Sequence, residues 1–323
     1  MRLRLRAWTI GKDGNKRVKY ITGKTHGGNA GAGHRFVNFL VPYVLAKKYN
    51  LKFVYQLFVE KDESNIHKMA PAKKWNDFLN FGENELTIND LPKQLLKVNV
   101  PYVPQEVATW DHWIFKKELE RPYKSDVLYC ISEEKEGQFI SIDWNIFNDN
   151  GLRNKYHLAK SKQPQPINYL DSSVINIALH RRADDVSSKT QFGRWISLDY
   201  YLNIIDNINK IKFKKQHLIH LYSSNIDPKE IDRLKEKSNI QFHINENIFD
   251  TFHNMVNCDI LINGQSSFSV MAAYLSYGIK LCTPWNIFWN NFPNQPDIIS
   301  IDSTGSFDSN KLLTIMEKKY VNR

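Results

Sequence analysis

The chain has 323 residues, 42% hydrophobic and 24% charged, which excludes a disordered or fibrous protein and fits one large domain or two ordinary ones. Lys and Arg number 44 against 34 Asp and Glu, and the resulting charge of +10 favours anionic partners: nucleotides, nucleic acid or an acidic membrane face. Cys130, Cys258 and Cys282 are far apart and each sits in an apolar run, which excludes a disulfide framework and a Cys-x-x-Cys metal site and predicts buried thiols.

In chain order, the start "MRLRLRAWTIGKDG" alternates charged and apolar residues, unlike a signal peptide. No segment is long enough to span a bilayer, so a cytoplasmic chain is expected, with peripheral contact to an acidic membrane left open. Residues 1–10 and 16–22 read as two strands of a hairpin around Asp13–Gly14. A glycine-rich loop, 23–33, leads into a predicted helix over 34–49 and a strand over 51–56; Pro42 should kink that helix or mark a later start. Strands are expected over 126–132 and 138–142, a helix over 145–161, and a linker over 162–173.

From there the pattern is regular. Predicted strands at 174–179, 216–222, 240–244, 258–263 and 279–283 alternate with helices near 198–210, 228–237, 248–256 and 267–277. Ser197 and Asp227–Pro228 mark helix starts, and Gly278 is expected as a left-handed cap. Apolar strands alternating with helices argue for a doubly wound parallel sheet covered on both faces. In such sheets ligands bind outside the carboxyl ends of the strands. His180–Asp185, Ser223–Ser224, Asn245–Asn247 and Gly264–Ser267 all follow strands directly and so converge on one edge.

The segment "HRRADD" gathers cations at the mouth of a buried strand. His180 and Arg182 share a parity, whereas Arg181 should point away and pair with Asp184 or Asp185. The guanidinium of Arg182 has the fork that grips a diphosphate and that lysine lacks. Gly264, Gln265, Ser266 and Ser267 open an apolar helix, where free N–H groups and hydroxyls make a phosphate seat; Ser266 as a plain N-cap is the competing reading. The loop ending in Gly31 and Gly33 fails both the P-loop pattern, with Val18 in place of the upstream glycine, and the dinucleotide fingerprint, with Phe36 in place of the last one. Its glycines still allow close approach of a ligand, and His34 and Arg35 open the helix behind it. His217 and His220 lie on opposite strand faces and read as packing residues. No Asp-x-Asp occurs, so the usual metal–diphosphate clamp is missing and cationic side chains are expected in its place. Net charge alone supports a nucleic-acid reading, and none is expected as a partner.

"GAGHR", "HRRADD" and "GQSSFSVMAAYLS", in this order, resemble the three signature regions of the fucosyltransferase superfamily, the α-1,2-, α-1,6- and protein O-fucosyltransferases. The resemblance covers residues 23–50 and most of 174–285. It implies a GT-B-like α/β fold, two Rossmann-like domains facing across a cleft, divided as 1–165 on the acceptor side and 166–323 on the nucleotide-sugar side. It further implies metal-independent inverting transfer from GDP-fucose to a glycan, with no cofactor beyond that donor. By position, Arg182 would hold the β-phosphate and help the diphosphate leave, His180 would lie near the guanine, and Ser266 and Ser267 would bind phosphate. Ser223, Gln265, Gly31, Gly33 and Arg35 would line the donor site. Asp184 and Asp185 compete for one aspartate's role, and Asp250 and His253 lie near the base-recognition position. His34 stands where the family has Asn, as a general base or as a positioning residue. Another nucleotide sugar, or a non-catalytic nucleotide or glycan binder on the same fold, are the alternatives.

Overall fold

The protein is described by a computed structural model covering residues 8–10, 16–23, 32–58, 72–102, 113–133, 150–163, 166–183, 195–237, 239–283 and 296–320. It divides into two compact units, Met1–Ala159 and Lys160–Arg323. The expected strand at 138–142 lies outside the described residues.

In the N-terminal unit, β1 (Trp8–Ile10) pairs antiparallel with β2 (Lys16–Gly23), Trp8 opposite Val18 and Ile10 opposite Lys16, which is the hairpin that Asp13–Gly14 announced. The other strands are parallel: β3 (Lys52–Tyr55), β4 (Leu86–Thr87), β5 (Leu96–Tyr102) and β6 (Val127–Glu133), in the order β4-β3-β2-β6-β5. Helices α1 (Ala32–Tyr49), α2 (Ala72–Leu79), α3 (Trp113–Glu120) and α4 (Gly151–Lys162) complete it. Helix α1 starts at Ala32, two residues before its expected start, and runs through Pro42. Pro42 has no N–H for the Asn38 carbonyl, and its ring presses on Gly23, where an added Cβ would come within 2.7 Å of Pro42 Cγ and 3.3 Å of that carbonyl. Gly23 is therefore the small residue that lets the end of β2 meet a proline-bearing helix. Behind it Phe39 stacks on Phe81 at 5.4 Å and meets Phe53 edge-on at 5.6 Å, an aromatic core between α1 and the sheet.

The C-terminal unit contains β7 (Ile175–Arg181), α5 (Leu198–Asn209), β8 (His217–Ser223), α6 (Pro228–Lys235), β9 (Ile240–Ile244) and α7 (Ile248–Asn257). It continues with β10 (Ile260–Asn263), α8 (Ser267–Leu275), β11 (Ile279–Cys282), β12 (Ile298–Ser300) and α9 (Ser309–Tyr320). All six strands are parallel, in the order β12-β11-β10-β7-β8-β9. Counted from β7 this is 3-2-1-4-5-6, the order of dinucleotide-binding sheets. The helix starts follow the expected chemistry: Ser197 accepts from the Tyr200 N–H and Asp227 from the Lys229 N–H, with Pro228 at the first helical position. Gly278 does not cap α8, whose extended C-cap is Ser276. Its missing Cβ instead admits the carbonyls of Cys258 and Asp259. Among the described residues no helix is long and apolar enough to cross a membrane.

The two faces of this sheet differ. Ile175, Ile177, Leu179, Ile219, Leu221, Ile260 and Ile262 meet α5 in the main apolar core. The opposite face of β7, β8 and β9 carries a buried polar chain. The Asn176 amide donates to the Asp171 carbonyl at 2.8 Å, while its Oδ1 accepts from the Asp171 N–H at 3.0 Å, which fixes its orientation. His220 Nε2, 3.1 Å from that Oδ1, must then donate; its Nδ1 must accept from His243 Nε2–H at 3.0 Å. His243 is stacked between Tyr222 and Tyr169, each at 4.7 Å. His217, on the other face, bonds Asn209 at 2.9 Å.

His220 must be neutral for this pattern to exist, because its Nδ1 has to accept while its Nε2 donates. Burial, then the neighbouring His243, pushes His220 down to about 4, and burial lowers His243. A histidine with a depressed folded pKa stabilises fully above its unfolded value of about 6.5 and loses that contribution as pH falls towards the folded value. Stability should therefore drop between pH 7 and pH 5, by up to about 2 kcal/mol from His220. His220→Gln, which keeps one donor and one acceptor without titrating, should flatten the drop; urea midpoints at the two pH values check this.

Candidate functional site

The connections of the C-terminal sheet leave β7 towards β8 and β10 towards β11, so the chain reverses its direction of travel between β7 and β10. At such a switch point the loops diverge and leave a crevice at the carboxyl ends. Here it is bordered by His180, Arg181 and Arg182 from β7 and by Asn263, Gly264, Gln265 and Ser266 from β10.

Gly264 is what allows these two ends to approach. A Cβ there would collide with the His180 carbonyl and lie 3.3 Å from the Tyr201 hydroxyl and 3.4 Å from His180 Nδ1. The Gly264 carbonyl accepts from the Ser266 N–H at 2.8 Å and from Ser269 Oγ at 3.0 Å, which turns the chain into α8. Ser266 does cap that helix, accepting from the Phe268 N–H at 3.3 Å, so the plain reading of this serine holds. Capping leaves its hydroxyl proton to donate, and α8, buried over Ser269–Leu275, presents its first turn at the crevice.

The His180 ring packs against Phe268 at 5.6 Å and its Nδ1 is buried without a partner. Burial, then the charge of Arg182, pushes His180 down to about 3, so the ring is neutral near pH 7 and can serve only as a neutral hydrogen-bonding group. Arg182 is half-buried and directly follows the end of β7. Arg181 takes the opposite face, as its parity predicted, but its partner is a different one. It is 5% exposed, and Nη2 donates to Glu230 Oε1 of α6 at 2.7 Å. Its Nε and Nη1 are buried without partners. An acid 49 residues away, brought in by the β8–α6 turn, occupies the place expected for Asp184 or Asp185. Those two aspartates lie outside the described residues.

Ser223 ends β8 in register with Arg181 and donates to the Ser224 carbonyl at 3.3 Å. Asn247 caps α7, accepting from the N–H groups of Phe249 and Asp250. Asp250 has an occupation that its sequence position concealed: Oδ1 accepts from the Ile167 N–H at 2.9 Å. One turn later the Asn254 amide donates to the Ile167 carbonyl at 2.7 Å and accepts from the Tyr169 N–H at 2.9 Å. The stretch expected to be a linker is thus bound along α7. His253, half-buried, lies beside Asn257 on the same helix. In the N-terminal unit Gly33 is buried, His34 is the third residue of α1 and Arg35 is half-buried; Gly31 lies outside the described residues. Among the described residues no group of three or more His, Cys, Asp or Glu side chains is placed to hold a metal.

Fold and site together define a doubly wound α/β protein with a cationic, helix-capped crevice at its switch point. Its fold is similar to that of several fucosyltransferases of known structure. Protein O-fucosyltransferase POFUT1 bound to GDP aligns at 12% identity over 79% of this chain and 94% of its own, with a TM-score of 0.43. The α-1,6-fucosyltransferase NodZ, a Bradyrhizobium enzyme, co-crystallised with GDP, aligns at 10% identity over 91% and 98%, TM-score 0.42. A point mutant of Arabidopsis thaliana FUT1 in complex with GDP aligns at 11% identity over 84% and 72%, TM-score 0.43. No protein-family profile and no curated protein matches the sequence.

The Arg181–Glu230 pair predicts its own energetics. Removing one partner leaves an uncompensated charge in a buried place, which costs about 3 kcal/mol. Glu230→Ala should lose about that much stability in urea unfolding, whereas Arg181→Met combined with Glu230→Leu should recover most of it.

Proposed function

We propose that the chain is a glycosyltransferase that takes its sugar from a nucleotide diphosphate donor, GDP-fucose by the fit of its motifs, and passes it with inversion to a glycan hydroxyl without a metal. The observation that carries this reading is the convergence of Arg182, neutral His180 and the first turn of α8 on the switch point of a 3-2-1-4-5-6 sheet. The C-terminal unit supplies the donor side and the N-terminal unit, with the loop before α1, the acceptor side.

The chemistry follows from where charge develops. As the bond from the anomeric carbon to the β-phosphate oxygen breaks, negative charge grows on the leaving diphosphate and positive charge on an oxocarbenium-like sugar. Arg182 forks two N–H bonds onto the diphosphate, and the Ser267 N–H and the Ser266 hydroxyl offer donors to its other oxygens. The acceptor hydroxyl forms its new bond from the opposite face of the sugar and gives up its proton. His34 either takes that proton or only donates a hydrogen bond to the sugar. An acidic limb of the rate profile that disappears in His34→Asn assigns the first role.

Calorimetry with GDP in EDTA tests the donor site: binding is expected, and binding seen only with added Mn²⁺ or Mg²⁺ overturns the metal-free part. Release of fucose or free GDP from the donor separates an enzyme from a non-catalytic binder. Arg182→Ala should lower turnover by about 10²–10³, the loss found when a single oxyanion donor is removed. Arg182→Lys should not restore it, because a point charge does not replace a fork. Near-normal turnover in Arg182→Ala would overturn the role given to Arg182.

A further inference from the structure

The amino edge of the C-terminal sheet, opposite the crevice, carries a concentration of charge that the fold does not use. The turn from α5 into β8 reads "KIKFKKQ" over 210–216, with Lys210, Lys212, Lys214 and Lys215 and no acid among them. Its backbone is fixed. The Ile211 N–H donates to the Ile208 carbonyl at 2.9 Å and the Phe213 N–H to the Ile211 carbonyl at 3.0 Å, while both side chains pack against the main core. With the two apolar residues turned in, all four lysines are exposed. Helix α9 ends beside this turn, with Glu317 3.2 Å from Lys214 and Lys318 exposed next to it. The same last turn of α9 reaches the connection before β11: Lys319 donates to the Gly278 carbonyl at 3.3 Å, and the adjoining Tyr277 is 40% exposed.

A cation at the end of a helix is favoured by the carbonyls there, which accounts for Lys210 and Lys318. It does not account for Lys212, Lys214 and Lys215, which lie beyond α5 and repel one another. Three acids at this edge are engaged: Glu317 with Lys214, Asp206 through both oxygens with Lys237, and Asp297 with Lys280 and Lys319. Among the described residues no carboxylate pairs with Lys210, Lys212 or Lys215. Charge complementarity therefore asks for an anionic surface. Lysines are point charges on flexible stems and suit fluid headgroup phosphates without fixed geometry; arginine, which forks onto fixed phosphates, is not among these residues. An exposed tyrosine has the amphipathic ring that settles at headgroup level.

We propose that the amino edge of the C-terminal sheet docks on an anionic lipid surface, with the lysines of the α5–β8 turn and Lys318 among the headgroup phosphates and Tyr277 at the interface. This attachment goes beyond the transfer reaction and does not rest on it. Because parallel strands put their amino and carboxyl ends at opposite edges, docking turns the crevice at His180 and Arg182 away from the bilayer.

Co-sedimentation of the full chain with vesicles tests it, comparing phosphatidylcholine alone with phosphatidylcholine carrying phosphatidylserine. The wild type should bind the mixed vesicles, and raising salt from about 0.1 M to about 1 M, which shortens the screening length from about 10 Å to about 3 Å, should release it. A lysine near an anionic surface contributes roughly fivefold, so Lys212→Gln, Lys214→Gln and Lys215→Gln together should weaken partitioning by about 10². Tyr277→Ser should weaken it by a smaller factor that salt does not abolish. Lys93→Gln, Lys97→Gln and Lys124→Gln together remove the same charge from exposed positions of the N-terminal unit and should leave binding as in the wild type. A wild type indifferent to phosphatidylserine overturns the proposal. Equal losses in the two triple variants also overturn it, since net charge alone would then be at work. So does a mixed-sequence DNA duplex that binds more tightly than the vesicles and is released by the same three substitutions in the α5–β8 turn, which would make this a nucleic-acid surface. GDP binding should be unchanged in every variant, so failure at the donor crevice and failure at this edge are read separately.

Discussion

The parallel pairing of β7 with β10 joins two halves of a sheet whose connections run in opposite directions, and both the core and the crevice depend on it. The pairing holds Ile177 beside Ile260 and Leu179 beside Ile262, which keeps the apolar core continuous across the reversal. It also brings the last turn of backbone at His180 against Gly264, at a distance that no side chain larger than hydrogen permits. A single absent methyl group thus sets how near the arginine strand and the serine helix can come. The same contact leaves the His180 ring in an apolar niche against Phe268, which is why that ring is neutral beside a cation.

Buried polar side chains in this unit fall into two sets, those that find a partner and those that do not. Inside, Asn176, His220 and His243 each find a partner of the right sense, and a neutral His220 makes the chain consistent. At the edge, Nε and Nη1 of Arg181 and Nδ1 of His180 are left over. The Tyr222 hydroxyl, in the layer of His220 and His243, is left over as well, so unmet capacity is found both at the carboxyl edge and on the polar face.

Much of this was legible in the sequence because it is local. Apolar runs alternating with helical patterns located β7 to β11, Ser197 and Asp227–Pro228 located helix starts, and alternation at 180–182 put Arg181 on the face away from His180. Long-range choices were not legible. Glu230 as the partner of Arg181 comes from α6 packing beside β7, and nearby Asp184 and Asp185 looked equally suitable on the page. Gly278 looked like a helix cap, since a glycine after an apolar helix usually is one, yet it serves a backbone crossing.

The strap of residues along α7 has a consequence for where this protein can be divided. Composition alone would place a cut anywhere in the polar stretch before β7. Asp250 and Asn254, however, hold the backbone of Ile167 and Tyr169, and Asn176 holds Asp171. A fragment beginning at residue 174 would strip those three side chains of their partners and open a polar seam down one side of the sheet. One beginning before Ile167 keeps the seam closed. The strap thus belongs to the C-terminal fold, and a protease probing this region should meet resistance where the amino-acid composition promises none.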